Sequence, residues 1–360
     1  MSDQSSSARP PPAPATPHHV LGDFSADGRI LVLAAMAAAV GCGGVFSAWV
    51  LLKLIALVTN LVWFGRASVA SVSLAGLRPS AWMVLAPAIG GLAIGLMARF
   101  GSEKIRGHGI PEAIEAILIG GSRMSLKVAL LKPLSSAISI GTGGPFGAEG
   151  PIIMTGGAIG SLFGQLFQIT AAERKALLVA GAAAGMTAIF GTPIAAVLLA
   201  VELLLFEWKP RSFLPVVVAV IVSAAWRPML FGTGPLFPFA GGPDASWRVL
   251  LLCVAVGLIA GLQSSLATNL LYRLEDFFER LPIHWMWWPM LGGLAVGAGG
   301  LIEPRALGVG YDVIRELLAG GMAPQEATRL LLVKGAIWTI ALASGTSGGV
   351  LAPLLILGGA

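Results

Sequence analysis

Apolar residues run along this chain in blocks too long for a soluble core. The blocks are cut by glycine- and proline-rich breaks and by short charged or polar turns. Positions 30–64 form one very long stretch interrupted by a single charge, Lys53, which predicts a tilted membrane helix or a tight pair. A second span is predicted over 82–97. A charged turn, Arg99 to Arg106, then leads into Gly107-His-Gly-Ile-Pro-Glu and a short helix over 112–119. A polar turn at 120–125 precedes an apolar helix over 126–140, which delivers the chain to a glycine-rich run at 141–157. Beyond it the pattern predicts helices over 171–190, 193–206 and 213–230, with Gly191-Thr-Pro as a breaker and 232–243 as a surface loop. The pattern then starts again. A long helix over 247–271 with a charged end (Arg273 to Arg280), a span over 290–302, a short helix over 312–318 and a helix over 330–343 lead into Ser344-Gly-Thr-Ser-Gly-Gly-Val-Leu-Ala-Pro. The cluster His284-Trp-Met-Trp-Trp reads as an interfacial aromatic belt.

Both halves therefore follow one plan: long helix, span, glycine turn, short helix, span, glycine-rich break, proline-started apolar helix. Broken helices at matching places in repeated halves mark an inverted-repeat transporter fold. The expected fold is an all-α, polytopic membrane protein with a disordered tail at 1–24, a first membrane repeat at 25–232 and a second at 233–360. The first half continues past its break for several segments and the second ends soon after its own, so the second repeat is expected to be incomplete, truncated at its C-terminus.

Composition sharpens this picture. The chain is 56% hydrophobic and 11% charged, with a mean hydropathy of +0.84, whereas soluble domains carry about 25% charged residues. Its 48 glycines suit membrane helices that pack closely or break. The net charge of +5 sits in short loops and points to orientation and lipid contact rather than nucleic-acid binding. A cell-membrane, multi-pass protein with a cytoplasmic N-terminus is expected. Residues 1–24, rich in Ser, Pro and Ala, lack the basic start and prompt apolar core of a signal peptide, and the His18-His19 pair is expected to be solvated. Cys42 and Cys253 read as buried, inert thiols, and the four histidines have no metal-ligand spacing, so neither a metal nor another cofactor is expected.

The chemistry concentrates at 141–157. Its glycines free the backbone to turn and open its N–H groups, and Pro151 suits the first helical position. A lone carboxylate, Glu149, stands two residues before it. Unwound backbone inside an apolar sequence survives only where it lines a cavity or is buried in protein, and a broken helix with its positive end inward holds anions. Glu149 could simply cap the helix, but its apolar setting favours a functional role. Lys132 and Lys334 occupy matching places before the two breaks and either snorkel or draw anions into a pathway. Glu202 reads from its neighbours as a charge at a membrane interface, beside Glu207 and Lys209.

These motifs resemble the CLC family of chloride channels and chloride/proton exchangers. Gly107-His-Gly-Ile-Pro is similar to the family's Gly-Ser-Gly-Ile-Pro, Gly147-Ala-Glu-Gly-Pro to its Gly-Arg/Lys-Glu-Gly-Pro, and Gly349-Val-Leu-Ala-Pro to its Gly-x-Phe-x-Pro. The order agrees, and the resemblance extends from the first long helix to residue 360. It implies a voltage-gated-type anion pore within each subunit of a homodimer in the lipid bilayer, with a bound chloride ion and possible proton coupling. By this resemblance the anion would be held by His108, Gly109 and Ile110, by Gly147, Ala148 and Gly150, and by Val350 and Leu351. The backbone N–H groups of Val350 and Leu351, with the side chain at 108, would hold a central chloride. Glu149 would be the gating glutamate, and Lys132 and Glu202 candidates along the anion or proton path. The sequence departs from the pattern at three places. His108 replaces the usual serine and puts the preference for chloride in question. Ala148 replaces a basic residue. Leu203 stands where proton-coupled members often carry a second glutamate, which favours a channel, or exchange by another proton route. Two rivals remain: an ion-coupled transporter of another anion, such as fluoride, nitrate or an organic anion, and, more remotely, an intramembrane serine protease built on Ser347.

Overall fold

A computed structural model describes residues 28–238 and 246–360. The expected tail at 1–24, with its His18-His19 pair, lies outside the described residues, as does the end of the 232–243 loop. The helices are α1 (Gly28–Phe64), α2 (Trp82–Phe100), α3 (Ile110–Leu118), α4 (Leu126–Gly141), α5 (Glu149–Gln165), α6 (Ala171–Phe190), α7 (Pro193–Leu199), α8 (Pro210–Phe231), α9 (Trp247–Glu279), α10 (Trp288–Ile302), α11 (Tyr311–Leu318), α12 (Pro324–Ala343) and α13 (Leu351–Gly359). Four of them, α1, α2, α8 and α9, are long and apolar enough to cross a membrane. The long apolar stretch at 30–64 is one helix of 37 residues rather than a pair.

Helix boundaries follow local chemistry. At the start of α6 the Thr170 hydroxyl accepts from the Glu173 N–H at 3.2 Å, and the Glu173 carboxylate accepts from the Thr170 N–H at 2.8 Å. The same carboxylate takes hydrogen bonds from Arg29 and, at 3.1 Å, from Arg211, which ties the ends of α1, α6 and α8 together. Gly191 ends α6 in a left-handed conformation, φ 69°.

The halves meet along α2 and α10 through a reciprocal glycine contact. Pro87-Ala-Ile-Gly-Gly-Leu-Ala-Ile-Gly in α2 has its counterpart in Pro289-Met-Leu-Gly-Gly-Leu-Ala-Val-Gly of α10. A Cβ on Gly91 would strike the carbonyl of Pro289, and one on Gly293 the carbonyl of Pro87. Backbone thus lies against backbone, the close approach that small residues permit in membranes. The two broken segments also meet. Gly147 donates its N–H to the Gly349 carbonyl at 2.9 Å and accepts from the Gly349 N–H at 2.7 Å, an isolated antiparallel bridge between the repeats.

Four expectations need correction. Helix α5 begins at Glu149, so Pro151 is its third residue rather than its first. Proline is tolerated there because N–H groups throughout a first turn have no intrahelical acceptor. The predicted 193–206 helix is α7 followed by a π-helical segment, Ala200–Leu205, in which the wider turn leaves Glu202 and Leu203 exposed while Val201, Leu204 and Leu205 are buried. Cys42 and Cys253 are free but exposed, on faces of α1 and α9 that no other described helix covers. An apolar position in a membrane helix need not face protein. The 284–288 cluster is more than a belt: Arg106 stacks over Trp285 at 4.6 Å and Trp288 at 5.7 Å.

Candidate functional site

The site forms where the N-termini of α3, α5, α11 and α13 converge on glycine backbone. Glu149, in the first turn of α5, is fully buried. Its carboxylate packs directly on Gly147, where a side chain would displace it, and a Cβ on Gly349 would lie 2.6 Å from Oε2. Gly349 is also close to Gly150: a Cβ there would come within 2.8 Å of the Gly150 nitrogen. The turn before α3 closes the other side. A Cβ on Gly109 would reach 2.7 Å from the Gly150 carbonyl carbon, and one on Gly150 would strike the His108 carbonyl. Gly109 adopts φ 98°, a conformation few other residues take, and its N–H is fixed by the Glu112 carboxylate at 2.7 Å.

Around Glu149 the polar partners are few. Tyr311, the first residue of α11, donates its hydroxyl to Oε1 at 3.2 Å. The backbone N–H groups of Glu149 and Ala352 lie beside the carboxylate, at the positive ends of α5 and α13. Oε2 has no well-formed hydrogen bond among the described residues. A buried carboxylate with one side-chain donor is an expensive arrangement in an apolar core. Its position in front of two helix N-termini makes chemical sense for a group that competes with a small anion for the same amide ends.

Two cavities approach this junction, and no residue lines both. One, of about 600 Å³, has Tyr311 in its wall together with Lys53, Arg227, Arg305, Arg315 and the Gly308–Gly310 turn. The other, of about 680 Å³, contains His108 with Lys104, Arg106, Arg123, Glu112 and Trp288. The His108 side chain is half-buried, and its Nδ1 is buried without a partner. Glu149 has no exposed surface and lines neither cavity.

The predicted residues divide clearly. Glu149, Gly109, Gly147, Gly150 and Gly349 come together, with Ile110, Ala148, Val350 and Leu351 at the adjoining helix starts. His108 contributes its carbonyl to the junction and its ring to the neighbouring cavity. Lys132 and Lys334 neither snorkel nor line either of these cavities. Both are fully buried. The Lys132 ammonium donates to the carbonyls of Ile105 (2.9 Å), Gly107 (2.8 Å) and, less closely, Arg106 (3.4 Å). Lys334 donates to those of Ala306 (3.1 Å) and Gly308 (3.2 Å). Each lysine thus braces the glycine turn ahead of the short helix in its own half. Glu202 is exposed on the π-helical segment and is not brought into the junction. Ser347, fully buried, bonds to Ser136 (3.0 Å) and Ser135 (3.2 Å). With those hydroxyls as its partners and no histidine among them, it lacks the base that a serine nucleophile needs.

Tyr311 is a contact of Glu149 that the sequence pattern by itself does not single out. Its signal was present, since an aromatic residue directly follows Gly308-Val-Gly310 where the first half has Ile110 after Gly107-His-Gly109. The two contact partners are 162 positions apart, and nothing local announces the contact.

Comparison with known proteins follows the same lines. The sequence model of a family described as "Voltage gated chloride channel" matches residues 89–360. A putative chloride channel protein ClcB-like of Ralstonia nicotianae is 29% identical over 307 residues, 83% of this chain and 70% of the relative. A voltage-gated ClC-type chloride channel ClcB of Salmonella dublin is 31% identical over 79% of this chain and 68% of its own length. The H(+)/Cl(-) exchange transporter ClcA of Citrobacter koseri is 31% identical over 73% of this chain and 57% of its own. Among solved structures, a slow cyanobacterial Cl-/H+ antiporter superposes with a TM-score of 0.76 at 22% identity, over 92% of this chain and 78% of that one. A CLC-type fluoride/proton antiporter gives 0.72 at 19% identity, over 91% and 79%. At such identities the likeness concerns the fold.

Proposed function

The chain belongs to the voltage gated chloride channel family, and we propose that it carries chloride through a pathway that the Glu149 carboxylate closes. One observation carries this reading: a fully buried carboxylate lies against Gly147 and Gly349, beside the amide ends of two broken helices. An ionised carboxylate mimics the anion and occupies its place. Protonation removes the charge that holds it to the helix ends, the side chain swings aside, and chloride takes its position. His108 and the amides of Val350 and Leu351 then offer the next resting place toward the second cavity, with one such pathway in each subunit of a homodimer.

Chloride relatives of both kinds, channels and proton exchangers, resemble the chain. Leu203 beside an exposed Glu202 supports passive conduction, because no second buried carboxylate follows Glu202 to relay a proton. Radioactive chloride flux from liposomes, with and without a proton gradient, tests this. Chloride-driven uphill proton movement would make the protein an exchanger, and large flux without it a channel. Glu149→Gln should give flux that no longer depends on pH. An unaltered pH response in this variant would remove Glu149 from the gate.

A further inference from the structure

We propose that Tyr311 is a positioning residue of the gate, whose hydroxyl holds the Glu149 carboxylate in the pathway and so sets the acidity needed to release it. The inference rests on Glu149 being the gate.

Four features carry it. The Tyr311 hydroxyl donates to Oε1 at 3.2 Å and is the sole side-chain donor to Glu149 among the described residues. It reaches across from the second repeat, from the first position of α11, directly after the left-handed Gly310. The tyrosine also lines the 600 Å³ cavity, so it stands between that cavity and the carboxylate. Its ring is fixed edge-on against Phe237, with centroids 5.8 Å apart, which aims the hydroxyl with little freedom.

Among the described residues no ionisable side chain other than Tyr311 donates a hydrogen bond to Glu149. Lys132 on α4 is turned to the carbonyls of 105–107, and Lys334 on α12 to those of 306 and 308. The His108 ring faces the other cavity, and Asp312 next to Tyr311 is exposed and bonded to Ser73. Tyr311 is therefore the group that can tune the gate. A phenol donates to a carboxylate more strongly than to the neutral acid. Its bond opposes both protonation and departure of the side chain. A donor to a charged acceptor is worth about tenfold or more in such an equilibrium.

The test measures chloride flux against pH in liposomes containing the purified protein. Tyr311→Phe keeps the ring and removes the hydroxyl. Flux at neutral and alkaline pH should rise about tenfold, and the pH profile should move about one unit toward alkaline values. On top of Glu149→Gln the same change should alter flux by less than about twofold, because the two residues act as one unit. Phe237→Leu, which loosens the ring but keeps the hydroxyl, should move the profile the same way but by clearly less than Tyr311→Phe does.

An unmoved profile for Tyr311→Phe, or an equal shift from Phe237→Leu, overturns the proposal and leaves the gate intact. A pH-dependent Glu149→Gln variant overturns the gate itself. The chain has 2 tyrosines, Tyr272 and Tyr311, so uniform 3-fluorotyrosine labelling probes the hydroxyl without substitution. The more acidic phenol should shift the profile toward acid, and one fluorine resonance should titrate in step with flux. A profile unmoved by fluorination also overturns the proposal.

Discussion

Replacing Lys132 measures how much the turn before α3 depends on a buried ammonium. The side chain is fully buried, and its Nζ lies 2.8 and 2.9 Å from two carbonyls, with a third at 3.4 Å. In Lys132→Met those carbonyls lose their donor in a place that water does not reach. Each unsatisfied acceptor costs about 1–3 kcal/mol, so the two short bonds alone represent roughly 2–6 kcal/mol. Methionine needs no desolvation, which offsets part of this loss. A net destabilisation of about 2 kcal/mol is expected. Lys132→Ala also leaves a cavity and should fall further, by another ~2 kcal/mol or more. Lys132→Gln supplies two neutral donors and should lie closest to the wild type. Thermal unfolding in detergent, followed by size-exclusion fluorescence, reads the order. For Met a drop of roughly 4–8 °C is expected, at about 2–4 °C per kcal/mol. The same variants should lose chloride flux in proportion, since the braced turn carries His108 and Gly109. A Met variant as heat-stable as the wild type, or a Gln variant below Met, would refute the bracing role.

Gly293→Ala should give little folded protein, because its Cβ would sit 2.6 Å from the Pro87 carbonyl carbon and 2.8 Å from the Ala88 Cα, both on a packed helix. Gly257→Ala on α9, with nothing within 4 Å, serves as the neutral comparison, and yields from parallel purifications decide the matter. His108→Ser should move anion selectivity toward chloride. Bi-ionic flux measurements with nitrate and fluoride would count against a pathway-facing position 108 if the permeability series stayed the same.

Much of the fold was written in the hydrophobic pattern. The apolar blocks and the Gly/Pro breaks between them placed most helices within a few residues, because a membrane segment must satisfy its backbone internally and can break only at special positions. The motif glycines and Glu149 were legible for the same reason. Three features were not. The lysines looked like interfacial or pathway charges, since their carbonyl partners lie more than twenty positions away on another element. Tyr311 depends on a contact between repeats, which residue type alone does not reveal. The π-helical turn at Ala200–Leu205 interrupts an apolar run whose composition gives no warning. The Pro87 and Pro289 segments, by contrast, repeat almost letter for letter, and a direct comparison of the halves exposes their kinship.

The Gly147–Gly349 bridge constrains how such a molecule can move. Its paired main-chain bonds of 2.9 and 2.7 Å rivet the two broken helices to each other beside Glu149. Any cycle that tilts one repeat away from its twin must tear both apart where no solvent can take their place, at about 4–6 kcal/mol apiece in an apolar medium. Small side-chain swings leave the rivet untouched. On the proposed reading of Glu149 as the gate, the working stroke is confined to a few atoms of a carboxylate arm, against a frame that stays still.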